Sequence, residues 1–298
     1  MTVPAASQQP RVLVTGASGR LGRTVAGRFH EAGFDLLATD IVDADDVPYR
    51  FVRADLLDHE SALDLLEDID VLVHLGNHPG IGRTPPQLVF NENISMNENM
   101  FQGAAEQGVG KIVFSSTLQM VGSHIDRRTV SNEPPAPRYP LDETMAPAPS
   151  NVYALSKTVS EVMLRYYAER CGIDCIALRF PLLHFREDRV RVSSGDERPN
   201  DIIEGFTGLS YDDAADLILA VTRLDLPGYR VYAPGVAHRH RDLAPAELIR
   251  AHYPHLPATT HDLIDVSTIE EQTGWRPTPV EHWSGSSSPR SSTRGVTP

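Results

Sequence analysis

Short apolar runs alternate with segments of helical periodicity along most of the chain. The run Arg11–Val14 is followed by a segment in which Leu21, Val25 and Phe29 lie four residues apart. Strands that alternate with helices in this way are typical of a parallel, doubly wound α/β sheet. We predict strands near 11–15, 35–39, 50–53, 70–75, 111–115, 174–179 and 229–232, and helices near 20–32, 59–67, 87–107 and 151–171.

A glycine-rich turn joins the first predicted strand to the first predicted helix. Gly16 permits a tight turn, Gly19 lets the backbone approach a pyrophosphate, and Gly22 allows the helix to pack closely on the sheet. Amide groups and the helix dipole would face the phosphates of a dinucleotide. The spacing is G-x-x-G-x-x-G rather than G-x-G-x-x-G. The predicted contact residues are Gly16, Ser18, Gly19, Arg20, Leu21 and Gly22.

A carboxylate follows the second predicted strand. Asp40 lies eighteen residues after Gly22, where it can accept hydrogen bonds from both hydroxyls of an adenosine ribose and would repel a 2′-phosphate. This position favours NAD over NADP. The alternative is a solvated loop acid, because Asp43, Asp45 and Asp46 follow closely.

Tyr153 and Lys157 are four residues apart in the last predicted helix. Residues at i and i+4 share one helix face, so the Lys157 ammonium can lie close to the Tyr153 hydroxyl. A nearby positive charge stabilises a phenolate, which suits general acid/base catalysis. The alternative is an exposed amphipathic helix that carries an incidental pair.

Taken together, these motifs resemble those of the extended short-chain dehydrogenases/reductases of the NAD-dependent epimerase/dehydratase family. The resemblance covers roughly residues 11 to 280. The glycine turn matches the family's T-G-x-x-G-x-x-G, and Tyr153 with Lys157 completes its Y-x-x-x-K pair. Further segments that resemble family motifs are 54–56, 73–76, 93–99, 114–117, 263–267 and 274–277.

The resemblance implies a Rossmann-type fold, NAD as the cofactor and a third catalytic residue. Measured back from Gly122, Thr117 lies where the family places a catalytic Ser or Thr, and Ser116 is the second choice. The alternative is that Thr117 is only a strand-end hydroxyl that caps local backbone. Tyr153 would exchange the substrate hydroxyl proton, Thr117 would steady the oxyanion, and Lys157 would hold the nicotinamide ribose. Further cofactor contacts implied by the family are Asp55, Leu56, Leu75, Gly76, Asn93, Ser115, Phe180 and Pro181, with Asn93 positioning a water near Lys157.

Departures from the family motifs bear on the reaction. Leu118 and Gln119 stand where a sugar 4,6-dehydratase has Asp-Glu, which disfavours dehydration. Leu182 replaces the Asn that nucleotide-sugar epimerases use near the sugar nucleotide's phosphates. Only about two dozen residues separate Pro181 from the segment at Gly208, and the short lobe resembles that of uronate dehydrogenases, which oxidise a free sugar acid. Four arginines in this region could pair with a carboxylate or phosphate of the substrate, or could be solvated surface charges. They are Arg186, Arg189, Arg191 and Arg198.

Three functions remain open at this stage. The leading hypothesis is a net NAD-dependent oxidoreductase acting on a secondary alcohol or carbonyl of a sugar, a sugar acid or a similar small hydroxy compound. The second is a nucleotide-sugar epimerase, similar to UDP-glucose 4-epimerase, that holds NAD tightly. The third is a non-catalytic NAD-binding protein, against which the intact set of Tyr153, Lys157 and Thr117 argues.

The predicted domain organisation has one large domain and a small lobe. Residues 1–181 would form the NAD-binding Rossmann domain, to whose sheet the strand near 229–232 returns. Residues 182–280 would form the substrate-binding lobe, with the segment 124–149 as a loop over the active site. The tail 281–298 is rich in Ser, Gly, Pro and Arg and is expected to be disordered.

Composition and charge bear on which partners, which cellular compartment and which metals are expected. The net charge of −13 argues against nucleic acid, whose phosphates would be repelled. No run is long enough to span a membrane, and no signal peptide is indicated, so we expect a cytoplasmic protein. A homodimer is the candidate assembly. Cys171 and Cys175 are expected to be buried apolar residues in a reducing compartment. The twelve histidines show no metal-ligand spacing, so no metal is expected.

Overall fold

A computed structural model describes residues 9–80, 84–121, 138–186, 207–237, 245–252, 256 and 262–279. The strands are β1 (Arg11–Thr15), β2 (Asp35–Asp40), β3 (Arg50–Arg53), β4 (Val71–His74), β5 (Lys111–Thr117), β6 (Asp174–Phe180), β7 (Leu182–His184), β8 (Thr207–Ser210), β9 (Tyr229–Tyr232) and β10 (Val236–Ala237). The helices are α1 (Arg20–Glu31), α2 (His59–Leu65), α3 (Pro86–Gln107), α4 (Val152–Cys171), α5 (Tyr211–Arg223), α6 (Pro245–His252) and α7 (Ser267–Thr273).

The main sheet is parallel and has seven strands in the order β3-β2-β1-β4-β5-β6-β9. The direction of winding reverses between β1 and β4, where Thr15 pairs with His74. Ligands of doubly wound sheets bind beyond the carboxyl ends of the strands at this switch point. The predicted Rossmann-type fold is therefore confirmed, and each of the seven predicted strands is present.

Helices cover both faces of the sheet. Val12 and Val14 face the core that contains α1 and α5, whereas Leu13 faces the core that contains α2, α3 and α4. Strands of a parallel sheet are buried on both faces and are apolar throughout. This explains why the continuous apolar runs of the sequence were sufficient to predict them.

Helix α5 was not predicted as a helix, because its segment was assigned in part to the substrate lobe. The Ser210 hydroxyl caps it by accepting a hydrogen bond from the Asp213 amide at 3.0 Å. Leu217 and Ile218 are fully buried in the same core as α1. Because β9 lies parallel to β6, the chain needs a crossover between them, and α5 provides it. Helix α5, which lies within the range predicted for the lobe, therefore packs on the main sheet.

A smaller core lies beyond the carboxyl end of β5. It unites Leu118 and Met120 with Leu141 and Leu263, all of them buried. The Leu141 amide donates to the Leu263 carbonyl at 2.9 Å, so the end of the predicted active-site loop is anchored to the C-terminal segment. The predicted division at residue 181 stays a prediction. The tail 281–298 and the loop residues 124–137 lie outside the described residues.

Candidate active site

The turn between β1 and α1 forms a cradle that only glycine fits. Gly16 has φ +68°, and a Cβ on Gly22 would collide with the Gly16 carbonyl oxygen. Gly19 is the N-cap of α1, and no side chain caps the helix. The amides of Arg20 and Leu21 in the first helical turn therefore remain available to an anion. This geometry suits the diphosphate of a dinucleotide.

Asp40 is held at the edge of this cradle. One carboxylate oxygen accepts a hydrogen bond from the Ser18 amide at 3.0 Å, and the other accepts one from the Val42 amide at 3.1 Å. Carboxylate oxygens accept more than one hydrogen bond, so both can still accept from ribose hydroxyls. The fixed position at the end of β2 favours the predicted ribose contact over a solvated loop acid.

The loops after β3 and β4 meet at the predicted adenine side. Asp55 accepts a hydrogen bond from the Leu57 amide at 3.0 Å, and Leu56 is buried. A Cβ on Gly76 would lie 2.9 Å from a Leu56 methyl carbon and 3.2 Å from the Gly16 amide nitrogen. Glycine at position 76, where the family motif has alanine, therefore lets the three loops pack together.

Tyr153 and Lys157 lie on one face of α4, as predicted. Asn151 caps this helix by accepting a hydrogen bond from the Ala154 amide at 2.8 Å. The Lys157 ammonium nitrogen lies 5.9 Å from the centre of the Tyr153 ring, and both side chains are buried. The interpretation as an exposed helix with an incidental pair is therefore wrong, while the catalytic roles of the two residues remain predictions.

Among the described residues, the contacts of the Lys157 ammonium are with neutral groups. Its ammonium donates to the Ser115 carbonyl at 2.7 Å and to the Asn77 side-chain oxygen at 2.7 Å. It also lies 4.4 Å from the centre of the Phe114 ring. Burial lowers the pKa of Lys157 to about 7. The group can therefore change its charge near neutral pH, which is typical of catalytic lysines.

Thr117 ends β5 beside the start of α4. Its hydroxyl oxygen accepts a hydrogen bond from the Gln119 amide at 3.2 Å, and the Asn151 side chain donates to the Gln119 side-chain oxygen at 3.3 Å. A hydroxyl that accepts keeps its own proton to donate, as an oxyanion contact requires. The alternative, Ser116, donates to Glu161 at 2.6 Å within the protein, so the geometry favours Thr117.

A buried ion pair lies next to Ser116. Arg179 donates to the two carboxylate oxygens of Glu161 at 3.0 and 2.8 Å, and it also donates to the Met145 carbonyl at 2.9 Å. The pair therefore ties β6 and the segment around Met145 to α4. The sequence analysis missed Glu161, although its position four residues after Lys157 places it on the same helix face.

Asn93 is hydrogen-bonded within the protein, and its role in positioning a water near Lys157 stays a prediction. Its side-chain oxygen accepts a hydrogen bond from the His78 amide at 2.8 Å, and its amide nitrogen donates to the Ser156 hydroxyl at 3.1 Å. The direct amide partner of Lys157 is Asn77, which the sequence analysis did not single out. An amide side chain three residues after the end of β4, at the carboxyl edge of the sheet, was the signal that could have indicated it.

The predicted contacts at the end of β6 lie at the same edge of the sheet. Phe180 pairs in register with Thr117, and its side chain is buried in the core, so its backbone and that of Pro181 are the parts that can border a ligand. Leu182 begins strand β7, which pairs with β8. The remaining predicted contacts, Ser115 and Leu75, lie at the carboxyl ends of β5 and β4.

Arg186 is committed to partners inside the protein. It donates to Asp213 at 2.9 Å and to Thr278 at 3.1 Å, and its guanidinium lies 3.7 Å from Asp212. The prediction that Arg186 pairs with a substrate anion is therefore not supported by its contacts. Arg189, Arg191 and Arg198 lie outside the described residues.

The cysteines differ from each other. Cys175 is buried, and burial raises the pKa of its thiol to about 12. Cys171 is exposed, so the prediction of a buried residue is wrong there, because this position ends α4 on its solvent side. Among the described residues, no group of three or more His, Cys, Asp or Glu could hold a metal ion, and no helix is long and apolar enough to cross a membrane.

Known proteins resemble the chain in both sequence and fold. The NAD-dependent glucose-6-phosphate dehydrogenase of Haloferax volcanii is 31% identical over 175 residues, which are 56% of this chain and 66% of that enzyme. The uronate dehydrogenase of Pseudomonas putida is 26% identical over 232 residues, or 76% of this chain and 74% of that enzyme. The crystal structure of Thermus thermophilus UDP-glucose 4-epimerase with NAD shares the fold, with a TM-score of 0.66 at 22% identity over 93% of this chain and all of that one.

A family model also matches more than half of the chain. It covers residues 12–184 and is described as the NAD dependent epimerase/dehydratase family. The match includes the glycine turn, Asp40, Thr117, Tyr153 and Lys157. The predictions of an enzyme and of NAD as its cofactor are confirmed. The chain belongs to the NAD-dependent epimerase/dehydratase family.

Proposed function

We propose that this protein is an NAD-dependent oxidoreductase acting on a secondary alcohol or carbonyl of a sugar, a sugar acid or a similar small hydroxy compound. The observation that carries the proposal is the buried pair of Tyr153 and Lys157 on α4, placed beside the end of β5 that carries Thr117. The dehydrogenases of glucose 6-phosphate and of uronates that the chain resembles support the substrate class.

The residues of the chain would divide the work as follows. The glycine turn and Asp40 hold NAD, which supplies the group that accepts or donates hydride. Tyr153 takes the hydroxyl proton when the alcohol is oxidised and returns it when a carbonyl is reduced. Thr117 donates a hydrogen bond to the substrate oxygen on which charge develops. The Lys157 ammonium stabilises the Tyr153 phenolate electrostatically.

A nucleotide-sugar epimerase is the second candidate. The family and the shared fold with an epimerase support it. The presence of Leu182 in place of an asparagine disfavours it, as does the short connection between β6 and α5, because both reduce the contacts available to a sugar nucleotide's phosphates. An NAD-binding protein without activity is disfavoured by the complete catalytic set.

The assembly and location of the protein remain proposals. We propose a homodimer that uses the exposed face of α4, where Val162 and Tyr166 are 66% and 56% exposed, because large apolar side chains at the surface favour association. Light scattering gives the molar mass of the wild-type protein and of Val162→Lys in solution. We expect the mass of a dimer for the wild type and that of a monomer for the variant. A cytoplasmic location likewise stays a prediction.

A substrate panel tests the proposed activity. Purified protein is mixed with NAD⁺ and uronates, aldoses, or UDP- and GDP-sugars, and NADH formation is followed. Net NADH from a sugar or sugar acid, lost in Tyr153→Phe without a comparable loss of NAD affinity, is the expected result. Interconversion of nucleotide-sugar epimers without net NADH, by protein that retains NAD through purification, would overturn it in favour of the epimerase.

A further inference from the structure

A chain of hydrogen-bonded polar groups, all buried except the half-buried Asn77, runs from the glycine turn to Lys157. It starts at Thr15, whose hydroxyl oxygen accepts hydrogen bonds from the amides of Leu75 and Gly76 at 3.1 and 3.0 Å. With its lone pairs used in this way, the hydroxyl donates its own proton to Nδ1 of His74 at 2.8 Å. Thr15 therefore fixes the direction of the first hydrogen bond in the chain.

The His74 ring continues the chain, with one ring nitrogen as acceptor and the other as donor. Because Nδ1 accepts, Nε2 carries the ring proton and donates to the side-chain oxygen of Asn97 at 2.8 Å. Burial lowers the pKa of His74 to about 3, so the ring is neutral at physiological pH and has a single N–H. The tautomer is thus set by the partners on both sides.

Asn97 and Asn77 complete the chain. The oxygen of Asn97 also accepts from the Asn77 side-chain nitrogen at 2.8 Å, and the Asn97 nitrogen donates to the Ser160 hydroxyl at 2.6 Å. Since Asn77 directs its nitrogen to Asn97, its oxygen is left to face Lys157, whose ammonium donates to it at 2.7 Å. The orientation of the Asn77 amide is therefore determined by the groups behind it.

We propose that Asn77 is a positioning residue for Lys157: its oriented side-chain oxygen holds the ammonium beside Tyr153 and favours the charged form. This inference rests on the proposed function only for its catalytic consequence. The ammonium contacts Ser115 and Phe114 of β5 and Asn77 of the loop after β4, and it lies 5.9 Å from the centre of the titratable Tyr153 ring on its own helix. His74 of β4, which is joined to Asn77 through Asn97, is the titratable group of the hydrogen-bonded chain. The carboxylate of Glu161, one turn further along α4, is already paired with Arg179.

The lysine content of the protein makes this inference directly measurable. Lys111 and Lys157 are the only two lysines in the sequence, so lysine-selective ¹³C labelling gives two side-chain signals. Lys111 lies at the start of β5, at the opposite end of that strand from the Lys157 site, and donates to carbonyl groups at the end of α5. Its signal is therefore an internal control. A pH titration by NMR follows both groups without substrate or cofactor, and Lys157→Met assigns the signals.

Two substitutions at Asn77 have opposite expected effects. Asn77→Asp places a negative charge at the ammonium and should raise the Lys157 midpoint by about 1–3 pH units. Asn77→Leu removes the acceptor and should lower that midpoint, with the Lys111 midpoint unchanged in both. If the Lys157 midpoint stays at the wild-type value in both folded variants, the inference is overturned, whatever the activity of the protein.

Activity then tests the catalytic consequence. With a substrate found in the panel, Asn77→Leu should lower kcat more than it raises KM, and the basic limb of the kcat profile should shift to lower pH with the Lys157 midpoint. Asn77→Asp should move that limb to higher pH. Shifted lysine midpoints with no shift in the pH profile would contradict the role of Lys157 in the proposed function and leave the Asn77 contact intact.

Discussion

Helix α4 buries two charged side chains one turn apart, and the protein surrounds them differently. Glu161 meets a bidentate arginine and the Ser116 hydroxyl, so its charge is cancelled inside the protein. Lys157 meets a carbonyl, an amide oxygen and an aromatic ring, which are all neutral. The Glu161 charge therefore stabilises the fold, whereas the Lys157 charge is the one that we propose acts on a ligand.

The energetic consequences of the two arrangements are opposite. A buried ion pair resists the loss of either partner, because the remaining charge is left without compensation. A buried lysine without a counter-ion costs stability whenever it is charged. Because burial lowers the pKa of Lys157 to about 7, the unfolded chain binds a proton between about pH 7 and 10.5 that the folded chain does not. In this window the stability of the unliganded protein should rise with pH, and below it the cost is fully present.

The largest effect is expected from Lys157→Met, which removes the unpaired charge and keeps the apolar stem. Turnover should fall by about 10²–10⁴-fold, the range of a general acid/base contribution. The melting temperature of the unliganded protein at pH 6 should not fall, because the variant no longer buries an unpaired ammonium. A marked loss of stability in thermal unfolding would show instead that Lys157 supports the fold as Glu161 does.

Glu161→Gln should show the reverse pattern. Leaving Arg179 buried without its carboxylate is expected to lower the free energy of unfolding by about 3–5 kcal/mol, measured by urea denaturation. Glu169→Gln is the matched control, since Glu169 lies exposed on the same helix and should change stability by less than about 0.5 kcal/mol. Equal stability of the two variants would contradict a structural role for the ion pair.

The sequence predicted the parts of the molecule that local patterns determine. The seven strands of the main sheet are apolar because both faces are covered, and the glycine turn and the pair on α4 are local motifs with fixed spacing. Strand β10 has only two residues, which is too short for a periodic signal. Helix α5 was missed although its Ser210 and Asp213 form a helix-start motif, because that segment was attributed to a lobe.

The polar contacts between elements were not predictable in the same way. Asn77 and His74 act together with Asn97, which lies on a different element, 20 and 23 positions away from them. Arg186 was considered for a substrate anion, whereas its partners are Asp213 and the distant Thr278. Hydrogen bonds across such distances depend on the tertiary structure, so the residue types alone allowed several partners.

A smaller effect is expected from His74, a buried side chain that is neutral, unlike Glu161 and Lys157. Its pKa is lowered to about 3 by burial, so between about pH 6.5 and 3 the unfolded chain takes up a proton that the folded chain does not. Stability should therefore fall with falling pH by about 1.4 kcal/mol per unit from this group. His74→Gln should reduce that slope in urea denaturation at pH 4 to 6, whereas the exposed His30→Gln should not. An unchanged slope in His74→Gln would contradict a neutral ring.

Asp40 extends the comparison to a charge that is only partly buried and is held by backbone amides. Within the part of the chain that the structure describes, it has no arginine partner and lies outside the core, so its substitution should affect the cofactor rather than the fold. In Asp40→Asn the repulsion of a 2′-phosphate is lost and the ribose hydroxyls face a weaker acceptor. The ratio of the dissociation constant of NADP to that of NAD, measured by titration, should fall by roughly tenfold, or about 1.4 kcal/mol.

Unfolding of this variant in urea should change little, because one of the two backbone hydrogen bonds can still be accepted by the amide oxygen. If the wild-type protein already binds NADP more tightly than NAD, Asp40 is not the ribose ligand, and its carboxylate serves only to join the end of β2 to the glycine turn.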